Sequence, residues 1–329
     1  MADTWVTWRE AWQHALYGPD GFYRREQPAD HFRTSVHCGP AFARAVLALL
    51  RRHDLSAVTD VGAGAGELLV QLHTIEPALT LTAVELRPRP PDLPARIGWQ
   101  PELDDHFDGL LLANELLDNL PCDVVELDGD GVTRLVEVCV ETGDERLGDA
   151  AGPETEHWLA DWWPLSEPGQ RAEVGLSRDH WWADACARLH GGVAVAVDYG
   201  HLRDSRPAHM SAVSYRRGRQ SVACFDGHHD VTAHVAVDSL AARVGADTRG
   251  QRSALLDLGV TGARPPLQQA TTEPAAYLRA LAVAGEEAEL IATPGLGDFW
   301  WVTSTPASEI VAGFPQIQTP AGLVHRSKL

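Results

Sequence analysis

The sequence predicts an α/β fold: a mostly parallel sheet with helices on both faces. Three observations predict it. A glycine run, Gly62-Ala63-Gly64-Ala65-Gly66, joins the strand-like Ser56–Val61 to the helix-like Glu67–Leu72. A second strand-like stretch, Leu79–Val84, ends in Glu85, about 20 residues past the glycines, where a carboxylate can accept hydrogen bonds from ribose hydroxyls. Further apolar runs, Phe107–Ala113 and Gly192–Val197, have the length of buried strands and end in the polar pairs Asn114-Glu115 and Asp198-Tyr199. Strands alternating with helical patterns are the mark of parallel crossovers.

The elements follow in order. Trp5, Trp8 and Trp12 recur at i, i+3 and i+7, which predicts one helical face, and Pro40 opens a helix to Arg52. Residues 1–55 are therefore an N-terminal helical segment, with a turn-rich stretch from Tyr17 to Tyr23. Residues 56–127 begin the nucleotide-binding core, with a short third strand at Ile97–Trp99. A hairpin from Val124 to Val140 turns at Asp128-Gly129-Asp130-Gly131. With the tryptophans Trp158, Trp162, Trp163, Trp181 and Trp182, it leads to an expected insertion or cap, 128–185. The core resumes over 186–304, with a loop over 201–230, helices near 236–245 and 274–284, a helix or strand at 253–260, and a last strand at Phe299–Thr303. Residues 305–329 are read as a tail.

Composition bounds the function. The 329 residues are 44% hydrophobic and 22% charged, an ordinary globular balance. A net charge of −19 argues against tracking nucleic-acid phosphates and suits a cationic substrate or partner. Five cysteines with no C-x-x-C predict reduced thiols and a cytoplasmic protein. No signal peptide and no membrane-spanning run are expected.

The spacing G-x-G-x-G, followed by the acidic Glu67 where a pyrophosphate would sit, disfavours a dinucleotide. A ligand with a ribose and no phosphate fits better, and S-adenosyl-L-methionine (SAM) is that ligand. Gly62, Gly64 and Gly66 would let the backbone approach it, any Cβ there taking ligand space; Glu85 would hold the ribose and Asp60 the ammonium. Asn114 and Glu115 follow the fourth strand, where the methyl group should point. Cys224, His228, His229 and His234 have no common zinc spacing, so no metal is expected. His31 and His37 are candidate bases. The run Arg203–Arg219, with five arginines, reads as a solvated basic loop.

In their order, the motifs resemble the MidA-type SAM-dependent methyltransferases, a family that includes the mitochondrial assembly factor that methylates an arginine in respiratory complex I. Gly21-Phe22-Tyr23 and His31-Phe32-Arg33-Thr34-Ser35 resemble its G-Y-Y and D-F-x-T-S segments, and Asp60–Gly66 its E-x-G-x-G-x-G. Ala113-Asn114-Glu115-Leu116-Leu117-Asp118-Asn119-Leu120-Pro121 resembles A-N-E-x-x-D-A-L-P. Val197-Asp198-Tyr199-Gly200 and Asp230-Val231-Thr232-Ala233-His234-Val235 resemble I-D-Y-G and D-I-T-A-H-V. Departures include Asp60 for glutamate, Asn119 for alanine and Trp300 for lysine; His37 and its neighbours replace a segment that carries a carboxylate.

The resemblance implies a Rossmann-like class I methyltransferase sheet, SAM as cofactor, and a protein arginine as acceptor. A catalytic group of Asn114, Glu115 and Asp118 is expected, with Glu115 gripping a guanidinium. Asp118 either shares that task or caps the next helix. Asp60, Gly62, Gly64, Gly66, Glu85 and Asn114 are expected at the cofactor; Thr34, Asp198, Tyr199 and His234 are expected at the substrate. Alternatives are an O- or N-methyltransferase of a small metabolite and a SAM-binding assembly factor with little catalysis. The expected partner is a protein or small-molecule methyl acceptor, with neither nucleic acid nor membrane, and with a homodimer allowed.

Overall fold

The computed structural model describes residues 3–25, 34–207 and 209–305. His31 and residues 306–329 lie outside them, so the candidate base His31 and nearly all of the expected tail are not among the described residues.

The centre is a seven-stranded sheet. Numbering its strands in chain order gives β1 (Ala57–Val61), β2 (Thr80–Val84), β3 (Ile97–Gln100), β4 (Phe107–Asn114), β5 (Leu189–Asp198), β6 (Asp247–Gly250) and β7 (Trp300–Ser304). Their spatial order is β3-β2-β1-β4-β5-β7-β6. The neighbours from β3 to β5 pair in parallel, whereas β7 runs antiparallel to both β5 and β6. The order reverses between β1 and β4, and ligands bind beyond the carboxyl ends of strands at such a switch point.

Strand periodicity sorts the two faces. Leu110 and Leu112 of β4 join one core with helices Ala41–Arg52 and Glu67–Ile75, through Phe42, Leu50, Leu68 and Leu72. Leu111 and Ala113 join the other, with helices Leu176–Ala187 and Val237–Val244, through Trp181, Trp182 and Leu240. Both faces of β4 are covered, which is why the strand reads as an unbroken apolar run.

Three expectations are corrected. Trp5 is not on the helix: Thr7 forms a capping box with Glu10 and starts the helix at Trp8, leaving Trp5–Thr7 extended and paired with Glu137–Cys139. The expected insertion begins earlier and ends sooner than 128–185. Its antiparallel sheet starts at Asp123–Leu127, adds Thr133–Cys139, Glu145–Ala150 and Arg171–Val174, and recruits the N-terminal strand. Trp158 and Trp163 pack on this sheet, while Trp181 and Trp182 belong to the core. Residues 201–230 are not all loop: Val213–Arg216, Arg219–Val222 and Asp230–Thr232 form a three-stranded sheet. Its hairpin turns at Arg217 and Gly218, with φ of +50° and +73°, the two-residue turn that matches strand twist.

Candidate active site

A cavity partly open to solvent lies beyond the carboxyl ends of β1, β2 and β4. Asp60, the glycine loop, Glu67, Glu85, Arg87, Asn114, Glu115 and Leu116 line it, with Tyr17, Tyr23, Thr34, His37 and Asn119.

The glycine loop is a chain of left-handed turns. Gly62, Gly64 and Gly66 have φ of +73°, +65° and +85°, a region L-residues with a Cβ rarely enter. A Cβ would meet Leu116 at Gly62, Glu67 at Gly64 and Leu93 at Gly66, at 2.8, 3.0 and 2.8 Å. Backbone conformation and neighbouring side chains, rather than ligand volume alone, require glycine there. The carboxylate of Glu85 accepts from Gly64 N at 3.0 Å and from Arg87 N at 3.1 Å, and pairs with the Arg87 guanidinium at 3.2 Å. Glu67 accepts from Ala65 N at 2.9 Å and lies 3.6 Å from His37 Nε2. It thus occupies the anion position at the start of its own helix. Burial, with Glu67 and Glu85 adding to it, pushes the Asp60 carboxyl up to about 8.

The β4 end is the other wall. Glu115 has φ of +53°, a left-handed conformation that costs a non-glycine residue about 1 kcal/mol or more. Its backbone N–H donates to Val197 O at 2.8 Å. Its Oε1 accepts from Ser35 N at 2.7 Å and from Asn114 Nδ2 at 3.3 Å. Burial pushes the Glu115 carboxyl up to about 7. Asn114 Oδ1 is buried with no hydrogen-bond partner. Thr34 lines the cavity and holds the His37 ring: its N–H donates to Nδ1 at 3.2 Å, and its Oγ1 lies 2.9 Å from the same nitrogen. That bond leaves the ring proton on Nε2, toward Glu67.

Gly66, Asp118, Asp198, Tyr199 and His234 are not among the lining residues. Asp118 neither faces the cavity nor caps a helix. Its buried Oδ2 accepts from Thr232 Oγ1 at 2.5 Å and from the Tyr199 hydroxyl, which also meets Thr232. Asp198 accepts from Leu117 N and Asp118 N at 2.9 and 3.2 Å, and from Tyr199 N at 3.0 Å. Its carboxylate braces the segment that carries Glu115. His234 lies edge-on to Tyr199 at 5.2 Å. Burial raises both carboxyls; Asp118 adds to the rise at Asp198.

Residues without an expected role complete the cavity. The Tyr17 and Tyr23 rings stack at 5.6 Å; their hydroxyls donate to Asn119 O at 3.3 Å and to Asp230 Oδ1 at 2.9 Å. Asn119 Nδ2 donates to Asp230 Oδ1 and Val231 O, each at 3.1 Å. The motif Gly21-Phe22-Tyr23 and the departure at Asn119 were the available signals. Arg178 carried none: fully buried, it donates to Asp118 O, Leu120 O, Ala233 O and His234 O, tying the β4 segment to the far sheet.

A model of a family of S-adenosyl-L-methionine-dependent methyltransferases matches residues 70–253, more than half of the chain. The chain belongs to this family. SAM is accordingly the cofactor of this methyltransferase, and the buried acidic cleft fits its ribose and ammonium groups. The chain is similar to a COG1565 superfamily protein of Burkholderia thailandensis bound to S-adenosylhomocysteine. Identity is 24%, with 91% of this chain and 87% of that chain covered and a TM-score of 0.73. A native crystal structure of a COG1565 superfamily protein from the same organism matches at 24% identity, 92% and 87% coverage, and a TM-score of 0.73. These likenesses establish the fold. No curated protein matches the sequence. Among the described residues, no helix is long and apolar enough to cross a membrane.

Proposed function

We propose that this methyltransferase acts on a nitrogen that carries N–H donors, and specifically on the guanidinium of a protein arginine. The observation that carries the reading is the polarity of the wall beyond Leu116. Glu115 offers a carboxylate, and Asn114 a buried Oδ1 without a partner. The donors nearby, the Tyr17 and Tyr23 hydroxyls and Asn119 Nδ2, already point to protein acceptors. A wall that accepts and does not donate favours an N–H-rich cation over a carboxylate or phosphate. The net charge of −19 supports the same choice.

Bound SAM supplies an electrophilic methyl group. The chain's own work is positioning. Glu85 would accept from ribose hydroxyls and Asp60 would meet an ammonium. Glu115, oriented by Ser35 N and Asn114 Nδ2, would hold two guanidinium nitrogens with charge-assisted bonds and aim the third. As a carboxylate it would also accept the proton released on transfer. A cytoplasmic location belongs to the same proposal; five free thiols, four of them buried, support it.

The test is transfer of tritiated methyl from SAM into whole-cell extract, followed by mass spectrometry of any labelled protein. Methylarginine is the expected product. Label confined to small molecules would move the acceptor to a metabolite, and no label would leave binding without catalysis.

A further inference from the structure

Spacing alone assigned no metal to Cys224, His228, His229 and His234, and the fold does not gather these four into one cluster. It instead brings Cys224 together with Asp226 and His229, whose ligand atoms all lie within 4.8 Å of one another. Asp226 was invisible to a search for cysteine and histidine spacing. His229 Nδ1 lies 2.9 and 3.0 Å from the two Asp226 oxygens. Cys224 and His229 are half-buried and Asp226 is exposed, so a cation can enter from solvent.

The loop that carries the three residues is anchored at several points. Cys224 N donates to the buried Ser214 Oγ at 2.9 Å, and Phe225 packs edge-on against Trp8 at 5.0 Å. Gly227, at φ of +73°, lets the chain reverse beside the end of helix Trp8–Tyr17. One thiol, one imidazole and one carboxylate are the donor types of zinc. Tetrahedral zinc, with bonds of about 2.0–2.3 Å, needs ligand atoms about 3.3–3.8 Å apart, within reach of side-chain rotation here.

We propose that Cys224, Asp226 and His229 form a zinc site, with water as the fourth ligand. On binding, the Cys224 thiol loses its proton to solvent as the sulfur–zinc bond forms, Asp226 enters as carboxylate, and His229 enters neutral. The site has a structural consequence: the next residue, Asp230, holds Tyr23 and Asn119 at the cavity wall. A metal clip on residues 224–229 would therefore stiffen the wall from behind, with no contact to the reacting groups.

The test uses the full chain, stripped with a chelator and titrated with Zn²⁺ against a chromogenic competitor. One equivalent should bind, and Cys224→Ser or His229→Ala should each weaken it about 100-fold, whereas His228→Ala should not. Replacement by Co²⁺ should give a thiolate-to-cobalt charge-transfer band that Cys224→Ser abolishes, since the other four cysteines are buried. Zinc should raise the melting temperature of the unaltered protein and not that of either variant. No stoichiometric binding, or a cobalt band that survives Cys224→Ser, would overturn the proposal; both readouts are independent of methyl transfer.

Discussion

At the glycine end of the cavity, charged side chains face the open space; behind the β4 wall they face away from it. Glu85, Glu67 and Asp60 line the cavity, and Glu85 and Glu67 are held by backbone N–H groups and by Arg87 or His37. Asp118, Asp198 and Tyr199 sit at an equivalent strand end, yet they bond to Thr232 and to the backbone of residues 117 and 118. Polar residues at the carboxyl end of a strand thus have two uses. Some meet the ligand, and some hold in place the loop that does.

The largest break in this comparison should come from Gly64→Arg. The position is left-handed and a Cβ there lies 3.0 Å from Glu67, so the new side chain must enter the cavity or distort the loop. SAM affinity should fall by about 100-fold or more, measured by calorimetry. Retained affinity would mean the cofactor does not lie on the glycine loop.

Glu115→Gln sharpens the contrast between the two walls. SAM affinity should persist while turnover drops by about 100-fold. With its carboxyl pushed up to about 7, Glu115 becomes a carboxylate as pH rises through 7. Unaltered activity should therefore climb from pH 6 to pH 8, and the variant should lose that limb. Stability moves the other way. A carboxyl raised on folding favours the folded state below its unfolded value, and that advantage disappears as pH rises through about 7. The neutral variant should therefore gain about 3 kcal/mol over the unaltered protein at pH 8 and nothing near pH 4, by urea denaturation.

Tyr199→Phe tests the bracing role and should have the smallest effect. It removes the hydroxyl shared by Asp118 and Thr232 and should cost about 1–3 kcal/mol of stability. SAM affinity should be unchanged. A loss of affinity without a loss of stability would put Tyr199 at the ligand.

The sheet was legible where its strands are buried on both faces. Val58, Leu110–Ala113 and Val193–Val197 cannot be exposed, and their continuous apolar runs show it. Sheets with one polar face were harder to read. Arg219–Val222 is exposed along its length and looks like loop, because its order comes from pairing with Val213–Arg216 rather than from burial. Trp5 was misread because two tryptophans on a real helix extend their period backward by chance, and only the cap at Thr7 shows where the helix begins. Of the expected site, Asp60, Gly62, Gly64, Glu85, Asn114, Glu115 and Thr34 converge on one cavity, while Gly66 serves the turn behind it. Tyr17, Tyr23 and Asn119 reach it from distant segments, a meeting that local pattern does not encode.

The sequence by itself determined the strand–glycine–helix unit, the carboxylate that ends the second strand, and the polar pair after the fourth. Each follows from local physics: a left-handed turn needs glycine, and a buried strand needs an unbroken apolar run. The tertiary structure alone decided which way the later polar residues turn. Asp118, Asp198 and Asp230 carry the same chemistry as Glu115, and nothing in their spacing says which of them meets solvent. Packing of the β4 segment against Arg178 and the Val213–Thr232 sheet turns three of these carboxylates inward, and a left-handed backbone at residue 115 leaves the fourth on the cavity wall.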